Sequence, residues 1–384
     1  MQPLAVGGYT AAAVQAQLAA SAQEDWAFDH LGPDGRYIKD LGLYLDKGSV
    51  PQVVHDSSAA IKRSLQISLR GDCGVKPLQD LVRPHYRLRM PDGGWADWAL
   101  GTFLMMLPDK RISAGATWWQ CALPELLQLL TDAGLPQTVA IPAGSTVLAG
   151  ISLLLATANA VLATPLALLY TTPPTAVLPA SIGANLGDAP HKAINDLLRG
   201  SAYQTLWADE SQPLPLLRTD PIPDYNTVPP LFVFDATVAS NVVGEFQETT
   251  DVSKIFNDQW VVGEDPRTKT PVVGHYTNIN PLSPYSVGNW HLKTAPTIRD
   301  SAIPDVASAN ARARAEVQAA ARIGAVLKMS TFAWPASEDR DVYRVTYNTS
   351  DEGLRSDLFL ETRWTHPCAA GALTQHELER VTPA

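Results

Sequence analysis

A mainly β chain with α+β insertions is what this sequence predicts, and three observations carry that expectation. Thirty Pro and 25 Gly are spread along 384 residues, together with ten Trp and eleven Tyr, a composition that suits short strands and tight turns better than long helical bundles. Residues 65–70 alternate, with Leu65, Ile67 and Leu69 set against Gln66, Ser68 and Arg70, the period of a half-buried antiparallel strand. Two further strands, over 85–90 and 98–107, flank Pro91-Asp92-Gly93-Gly94, whose glycines permit the positive φ of a hairpin turn.

The elements follow in chain order. Residues 1–36 are Ala/Gln-rich up to Asp25-Trp26-Ala27-Phe28 and read as an N-terminal arm. A first β domain is expected over 37–135, with strands through 37–69 and the hairpin above. It closes on a helix over 124–133, with Pro124 in the first turn, Leu126, Leu127, Leu129 and Leu130 as apolar face, and Gly134 as stop. An inserted α/β domain is expected over 136–230. It holds a helix over 190–198, with Ala193, Ile194, Leu197 and Leu198 on one side, and ends in a proline-crowded linker over 211–230. A second β domain is expected over 231–384. Its strands are read at Phe232-Val233-Phe234, 252–262, 276–279 after a loop over 263–271, 341–347 and 357–364. Its long helix, over 305–327, has Asp305 as N-cap and an Ala-rich body.

Charge and cysteine usage narrow the function. A net charge of -10 leaves no basic surplus to neutralise a phosphate backbone, so direct nucleic-acid binding is not expected. Cys73, Cys121 and Cys368 have neither disulfide-framework nor metal spacing, and are expected reduced in a chain folded in a cytosol. The N-terminus has no positive segment ahead of its apolar residues, so no secretory signal is expected. From 133 to 187 there is no charged residue, and 147–170 is long and apolar enough to test as a membrane span. Asn159, Pro165 and Pro173-Pro174 interrupt it and no Lys or Arg flanks it, so the reading is a buried or subunit-facing helix and no stable membrane span.

No motif assembles a reaction centre. Neither common Gly-rich phosphate cradle is present, nor a Gly-x-Ser-x-Gly elbow. His376-Glu377-Leu378-Glu379-Arg380 has Arg where a zinc-binding helix needs its second histidine. His366-Pro367-Cys368 places two ligand types together without completing a set. The carboxylate pairs Glu24-Asp25, Asp209-Glu210, Glu338-Asp339 and Asp351-Glu352 would serve a glycosidase only if two carboxyls faced one cleft, and adjacent carboxylates mostly point apart. Trp118-Trp119, with Trp95 and Trp98 nearby, offer flat faces for sugars, although core or interface packing is the commoner fate. The chain is therefore expected not to be an enzyme, with no catalytic, cofactor-binding or metal residues and no cofactor.

Two sets of segments resemble a known family. VVHDSSAAIKRSL over 53–65, LQDLVRPHYRL over 78–88 and GGWADWALGTF over 93–103 look like the N-terminal region of minor tail proteins of long-tailed bacteriophages of actinobacteria. DVSKIFN over 251–257, VVGEDP over 261–266, NPLSPYS over 280–286 and IRDSA over 298–302, leading into the Ala/Arg helix, resemble in their order the hub proteins of phage baseplates and tail tips. The resemblance implies two tail-tube-like β-barrel domains, over 37–135 and 231–384, with the insertion between them. It also implies a homotrimer whose six barrels form a pseudo-hexameric ring. Many relatives carry a Gly-Asp-Val-Val type strand after the long helix where Arg340-Asp341-Val342-Tyr343 stands here, a departure from the family's pattern.

The function implied is that of a structural subunit of the virion tail tip, assembled in the host cytoplasm. It would join the tail tube to the tip and form part of a DNA channel without binding DNA specifically. Its partners would be distal tail and tail tube proteins, the tape measure protein, and other tail-tip or fibre proteins. Much of the negative charge is expected to line the channel and repel phosphates. Two rival readings are a carbohydrate-binding adhesin at the same tip, suggested by the Trp and Tyr content, and a cell-wall hydrolase working through a carboxylate pair. Residues after Trp364 are too few for a lysozyme or peptidase extension, so wall cutting is expected to belong to another subunit.

Overall fold

The computed structural model describes residues 3–381 except 21–22, 114–115, 163, 211–215, 239–240, 266, 301–302, 304, 324 and 350–352. The chain opens with α1 (Ala11–Leu18), β1 (Glu24–Leu31) and β2 (Tyr37–Asp40), followed by β3 (Gln52–Asp56), β4 (Arg63–Arg70), β5 (Leu81–Arg89), β6 (Trp95–Ala99), β7 (Phe103–Leu104), β8 (Asp109–Ser113) and β9 (Ala116–Pro124). Next come α2 (Leu127–Asp132), β10 (Val139–Ile141), α3 (Val147–Asn159), β11 (Leu168–Leu169), β12 (Ile182–Ala184), α4 (Pro190–Gly200), β13 (Trp207–Asp209) and β14 (Leu216–Arg218). The remainder is β15 (Phe232–Asp235), β16 (Val242–Thr250), β17 (Asp258–Glu264), β18 (Pro271–Thr277), β19 (Ile298–Arg299), α5 (Val306–Ile323), β20 (Ala325–Thr331), β21 (Val342–Thr349), β22 (Gly353–Pro367) and β23 (Thr374–Arg380).

Alternating strands bury one face only when a second layer covers it, and here two sheets cover each other. The larger has ten strands in the order β16-β20-β23-β22-β3-β4-β9-β8, with β21 on β22 and β15 beside β21. The smaller runs β2-β1-β5-β6 with β7 on β5. Val53, Leu65, Ile67, Leu69 and Trp364 of the larger sheet share one core with Phe28, Val82, Tyr86, Leu88 and Trp98 of the smaller.

The two expected tail-tube-like β-barrel domains share one sheet in this structure, and no closed barrel is seen among the described residues. The early and late β segments meet where β22 lies antiparallel to β3, Trp364 opposite His55 and Thr365 opposite Val54. Among the described residues the joint sheet stays open, with β16, β8 and β15 at its edges. Pairing β3 with β22 satisfies backbone groups that two separate sheets would leave as bare edges. Residues 1–36 are likewise more than an arm: Val14 and Leu18 of α1 and Phe28 of β1 are buried, and β1 sits between β2 and β5.

Several boundaries move for identifiable reasons. The PDGG turn forms, with Gly93 at φ 88°, but the strand expected over 98–107 divides into β6 and β7 around Gly101, at φ 144°. The helix expected over 124–133 shortens to α2 because β9 runs on to Pro124 opposite Ser64. The helix expected over 305–327 ends at Ile323. Leu327 and Met329 then point into the core from β20, which pairs β16 and β23, so sheet pairing outweighs the helical propensity of the Ala-rich run. Of the strand expected over 252–262 only the part from Asp258 is β17, and the strand expected over 276–279 is the end of β18. Residues 211–215 of the expected linker lie outside the described residues, while Leu216–Arg218 form a strand between β11 and β13.

The insertion has its own core. α3 turns Val147, Gly150, Ile151, Leu154, Leu155 and Ala158 inward against Ile194, Leu197 and Leu198 of α4 and Leu127 and Leu130 of α2. Among the described residues no helix is long and apolar enough to cross a membrane. A third, smaller core packs Ala309 and Ala313 of α5 on Val261 and Val272 of the β18-β17-β19 sheet.

Candidate functional site

Two features of the large sheet stand out, a polar outer face and a buried ionic seam. Residues directly opposite each other in adjacent strands share a face, which builds the outer surface row by row. One row is Lys328 opposite Glu377, Glu377 opposite Arg363, and Arg363 opposite Asp56. Its signs alternate, with Lys328 Nζ 3.6 Å from Glu377 Oε2 and Arg363 paired to Asp56. The next row is Ser330, Gln375, Thr365, Val54 and Ser64, in which the Ser330 hydroxyl donates to Gln375 Oε1 at 3.0 Å. Beyond it Gln52 faces Gln66. The rows cross the β22–β3 junction, so both β segments contribute to one surface, and the charges of the Lys328–Asp56 row balance.

The inner side of the same junction carries ionised groups out of water. Asp339 lies 3.1 Å from His55 Nε2 and 3.3 Å from Lys62 Nζ, all three side chains nearly fully buried. Burial pushes the Asp339 carboxyl up, but the Lys62 ammonium and the nearby His55 ring outweigh it and hold the group well below the usual carboxylate range. His55 stacks on Trp364 with ring centroids 5.4 Å apart. The Lys62 backbone N–H donates to Glu125 Oε1 at 2.7 Å, and burial pushes the Glu125 carboxyl up to about 7 against the pull of Arg63. Glu210 accepts from the backbone N–H and hydroxyl of Thr102 at 3.1 and 3.0 Å, 4.0 Å from Arg63. The seam thus ties the β3–β4 turn to the insertion and to the segment after β20.

The side chains of His55, Lys62, Arg63, Glu210 and Asp339 are all nearly fully buried. The sequence candidates disperse. His376 is buried between Glu361 (Nδ1 to Oε1, 2.5 Å) and Thr331 (2.9 Å); its segment is strand β23, where a zinc-binding helix would be required. His366 Nδ1 pairs with the Thr374 hydroxyl at 2.8 Å. Asp209 pairs with Arg218 at 2.7 Å, the Glu24 carboxylate accepts from Tyr86 and the Gly371 N–H, and Asp351-Glu352 lie outside the described residues. Trp98 is buried, Trp119 packs on the core, Trp95 lies under Arg89, and Trp118 stands between Arg70 and Arg111 on β9. Among the described residues no cluster of His, Cys, Asp or Glu is placed to hold a metal ion. A shallow groove of about 350 Å³ on the outer side of α3 is lined by Leu148, Ser152, Leu155, Ala156, Asn159, Leu168 and Tyr170, which supply neither a carboxylate nor an imidazole.

Sequence reasoning missed the seam. Lys62, Asp339 and Glu210 are far apart in the chain and each reads alone as a surface charge; the one available signal was their position beside core strands.

No protein-family model matches the chain, and no curated protein matches its sequence. Solved structures do match. A tail protein from Neisseria meningitidis MC58 superposes with a TM-score of 0.62 at 13% identity, over 92% of this chain and 96% of that one. The 43 kDa tail protein of prophage MuSo2 from Shewanella oneidensis gives 0.62 at 9% identity, over 93% and 98%. The prophage tail protein gp18 from Listeria monocytogenes EGD-e gives 0.56 at 11%, over 94% and 95%. Over nearly its whole length, the chain shares the fold of these tail proteins.

Proposed function

We propose that this chain is a structural hub subunit at the tail tip of a long-tailed bacteriophage of actinobacteria. Three copies form a ring in which two tube-like β segments per copy, over 37–135 and 231–384, imitate the sixfold symmetry of the tail tube. The ring is assembled in the host cytoplasm and carried in the virion. It joins tail tube and distal tail proteins to the tape measure and to the tip or fibre proteins, and it has no enzymatic role. The observation that carries the reading is the outer face of the ten-stranded sheet, continuous across both β segments, in a fold shared with phage tail proteins.

That face is the proposed channel lining, and its chemistry revises the expectation of an acidic lumen. Lys328, Glu377, Arg363 and Asp56 cancel; the row on one side is Ser330, Gln375, Thr365, Val54 and Ser64, and the row on the other is Val326, Glu379 and Leu360. Such a surface offers a passing polyanion no net attraction, so no counterions are released and no affinity results. Immunogold labelling of purified virions tests the reading: label at the distal end of the tail supports it, and label on the head or along the whole tail overturns it.

One observation favours a second reading, a carbohydrate-binding adhesin. Trp260 of β17 stacks on His275 of β18 with centroids 3.9 Å apart and keeps 40% of its surface exposed, a flat aromatic face of the kind that packs on sugar rings. Glycan-array binding that is lost in Trp260→Ala would support it.

A further inference from the structure

We propose that the uncovered face of the three-stranded sheet β18-β17-β19 binds an acidic sugar, a hexuronate residue of a polysaccharide, with Trp260 beneath the ring and Arg299 on its carboxylate. The inference rests on the adhesin reading above and deepens it by naming the class of ligand. It asks nothing of the two larger sheets, because this small sheet packs on α5 through a core of its own.

Side chains of β17 alternate between that core and the opposite face. Val261 is buried against Ala309 and Ala313 of α5, so its neighbours Trp260 and Val262 point away from the helix. Directly opposite them on β18 stand His275 and Val273, and Val273 is 46% exposed. The Trp260 indole lies 16° from parallel to the His275 ring. His275 is itself held in place. Its Nε2 lies 2.6 Å from the carboxylate of Asp258, a buried side chain that also accepts the hydroxyls of Thr277 and Thr294 at 2.6 and 2.7 Å. An indole fixed in this way gives up little freedom when a ligand ring covers it. His275 takes up one indole face from the β18 side, and the open face turns the other way, toward β19.

That side carries the charge that selects the ligand. Residues 294–299 are tied along β17: the Thr294 hydroxyl donates to the Asp258 carboxylate, the Ala295 N–H to the Asp258 carbonyl, and the Gln259 amide to the Pro296 carbonyl. The run brings Arg299 opposite Val262, on the Trp260 face and one side-chain row away, about 7 Å along the strand. Arg299 is exposed and makes no ion pair among the described residues. The Glu264 carboxylate, one row further on, is engaged by Lys269 at 3.0 Å. A guanidinium receives a carboxylate through two parallel hydrogen bonds. A flat aromatic face with such a cation beside it fits a ring that is apolar on one side and bears a carboxylate at its rim, which describes a uronic acid. A neutral hexose would leave Arg299 unused.

The test is calorimetric titration of the full chain with oligomers of glucuronate, galacturonate and mannuronate and with their carboxyl-reduced counterparts, beside Trp260→Ala and Arg299→Gln. Both side chains are exposed, so circular dichroism of the variants should match wild type. Wild type should bind at least one uronate series roughly tenfold more tightly than its reduced form, the difference of one charge-assisted contact. Trp260→Ala should weaken that binding by roughly 30-fold, as for an aromatic hot spot. Arg299→Gln should bring the uronate affinity down to that of the reduced oligomer, whose own binding stays as before. Equal binding of both forms by wild type, or a preference for the acid that survives Arg299→Gln, overturns the acidic ligand and leaves the adhesin reading standing. Uronate binding retained in Trp260→Ala overturns the site. No uronate binding beside a glycan array positive for neutral sugars overturns this inference alone, and an array on which nothing binds overturns the adhesin reading with it.

Discussion

Replacing Asp339 by Asn removes one charge from the buried seam and leaves the other in place. The carboxylate is met by Lys62 Nζ at 3.3 Å and His55 Nε2 at 3.1 Å, with side chains at most 2% exposed. Breaking such a pair from one side strands the Lys62 ammonium in a low-dielectric site, which costs about 3–5 kcal/mol. That is a large part of the 5–15 kcal/mol typical of a folded domain. Urea unfolding followed by tryptophan fluorescence measures it, and Trp364, stacked on His55, lies at the seam itself. Lys62→Met should cost a similar amount by stranding the carboxylate, while the double variant should cost much less than the two summed, since neither charge is then unpaired. The pH dependence follows from the depressed carboxyl. Its stabilisation is complete above the ordinary carboxylate range near pH 4 and is lost only as pH falls through the lower folded value, and Asp339→Asn should remove that component. A loss below about 1 kcal/mol in Asp339→Asn, the range of exposed pairs, would refute the claim that the seam is a dry clamp.

Three further outcomes follow from the structure. Gly274→Val places a Cβ 2.4 Å from the Ala309 carbonyl carbon and 2.5 Å from its Cβ; α5 must move off the small sheet, costing about 1–3 kcal/mol, and hydrogen exchange should rise in α5 while the large sheet stays protected. Burial, with His376 adding to it, pushes the His366 ring down to about 3, so the fold favours the neutral ring and stability should fall as pH drops from about 6.5 toward 3, by about 1.4 kcal/mol per unit at most for this group. His366→Gln should flatten that acid slope, and an unchanged slope would discard the assignment. Burial pushes the Cys121 thiol up to about 12 and raises those of Cys73 and Cys368, so Ellman's reagent should find no reactive thiol in the native chain and three after unfolding; rapid native labelling at any of them would contradict the burial.

Local chemistry was legible wherever a short pattern decided it. Alternation located β4, and Pro91-Asp92-Gly93-Gly94 located its hairpin turn. Pro190, the Ala193 to Leu198 face and the closing Gly200 marked α4. What escaped was decided at long range. β1 looked like part of an arm because Glu24-Asp25 opens it and its inward residues do not alternate, yet pairing with β5 and β2 makes it an interior strand. The run after Ile323 looked helical because Ala325, Val326 and Leu327 continue an apolar Ala-rich pattern, and only β16 and β23 on either side make it a strand. The joining of the two β segments across β22 and β3 rests on a contact between residues near 55 and 365, which no local pattern encodes. The seam was illegible for the same reason, its charges coming from the β3–β4 turn, from the insertion and from the segment after β20.

Scattering and imaging of the purified chain would test the hub reading most directly, since the proposed ring is a statement about copy number and shape. The account expects a particle of three times the 41.4 kDa chain mass, seen end-on in negative stain as a ring with an open centre. A closed twofold dimer, or a three-copy particle with no central opening, would contradict it.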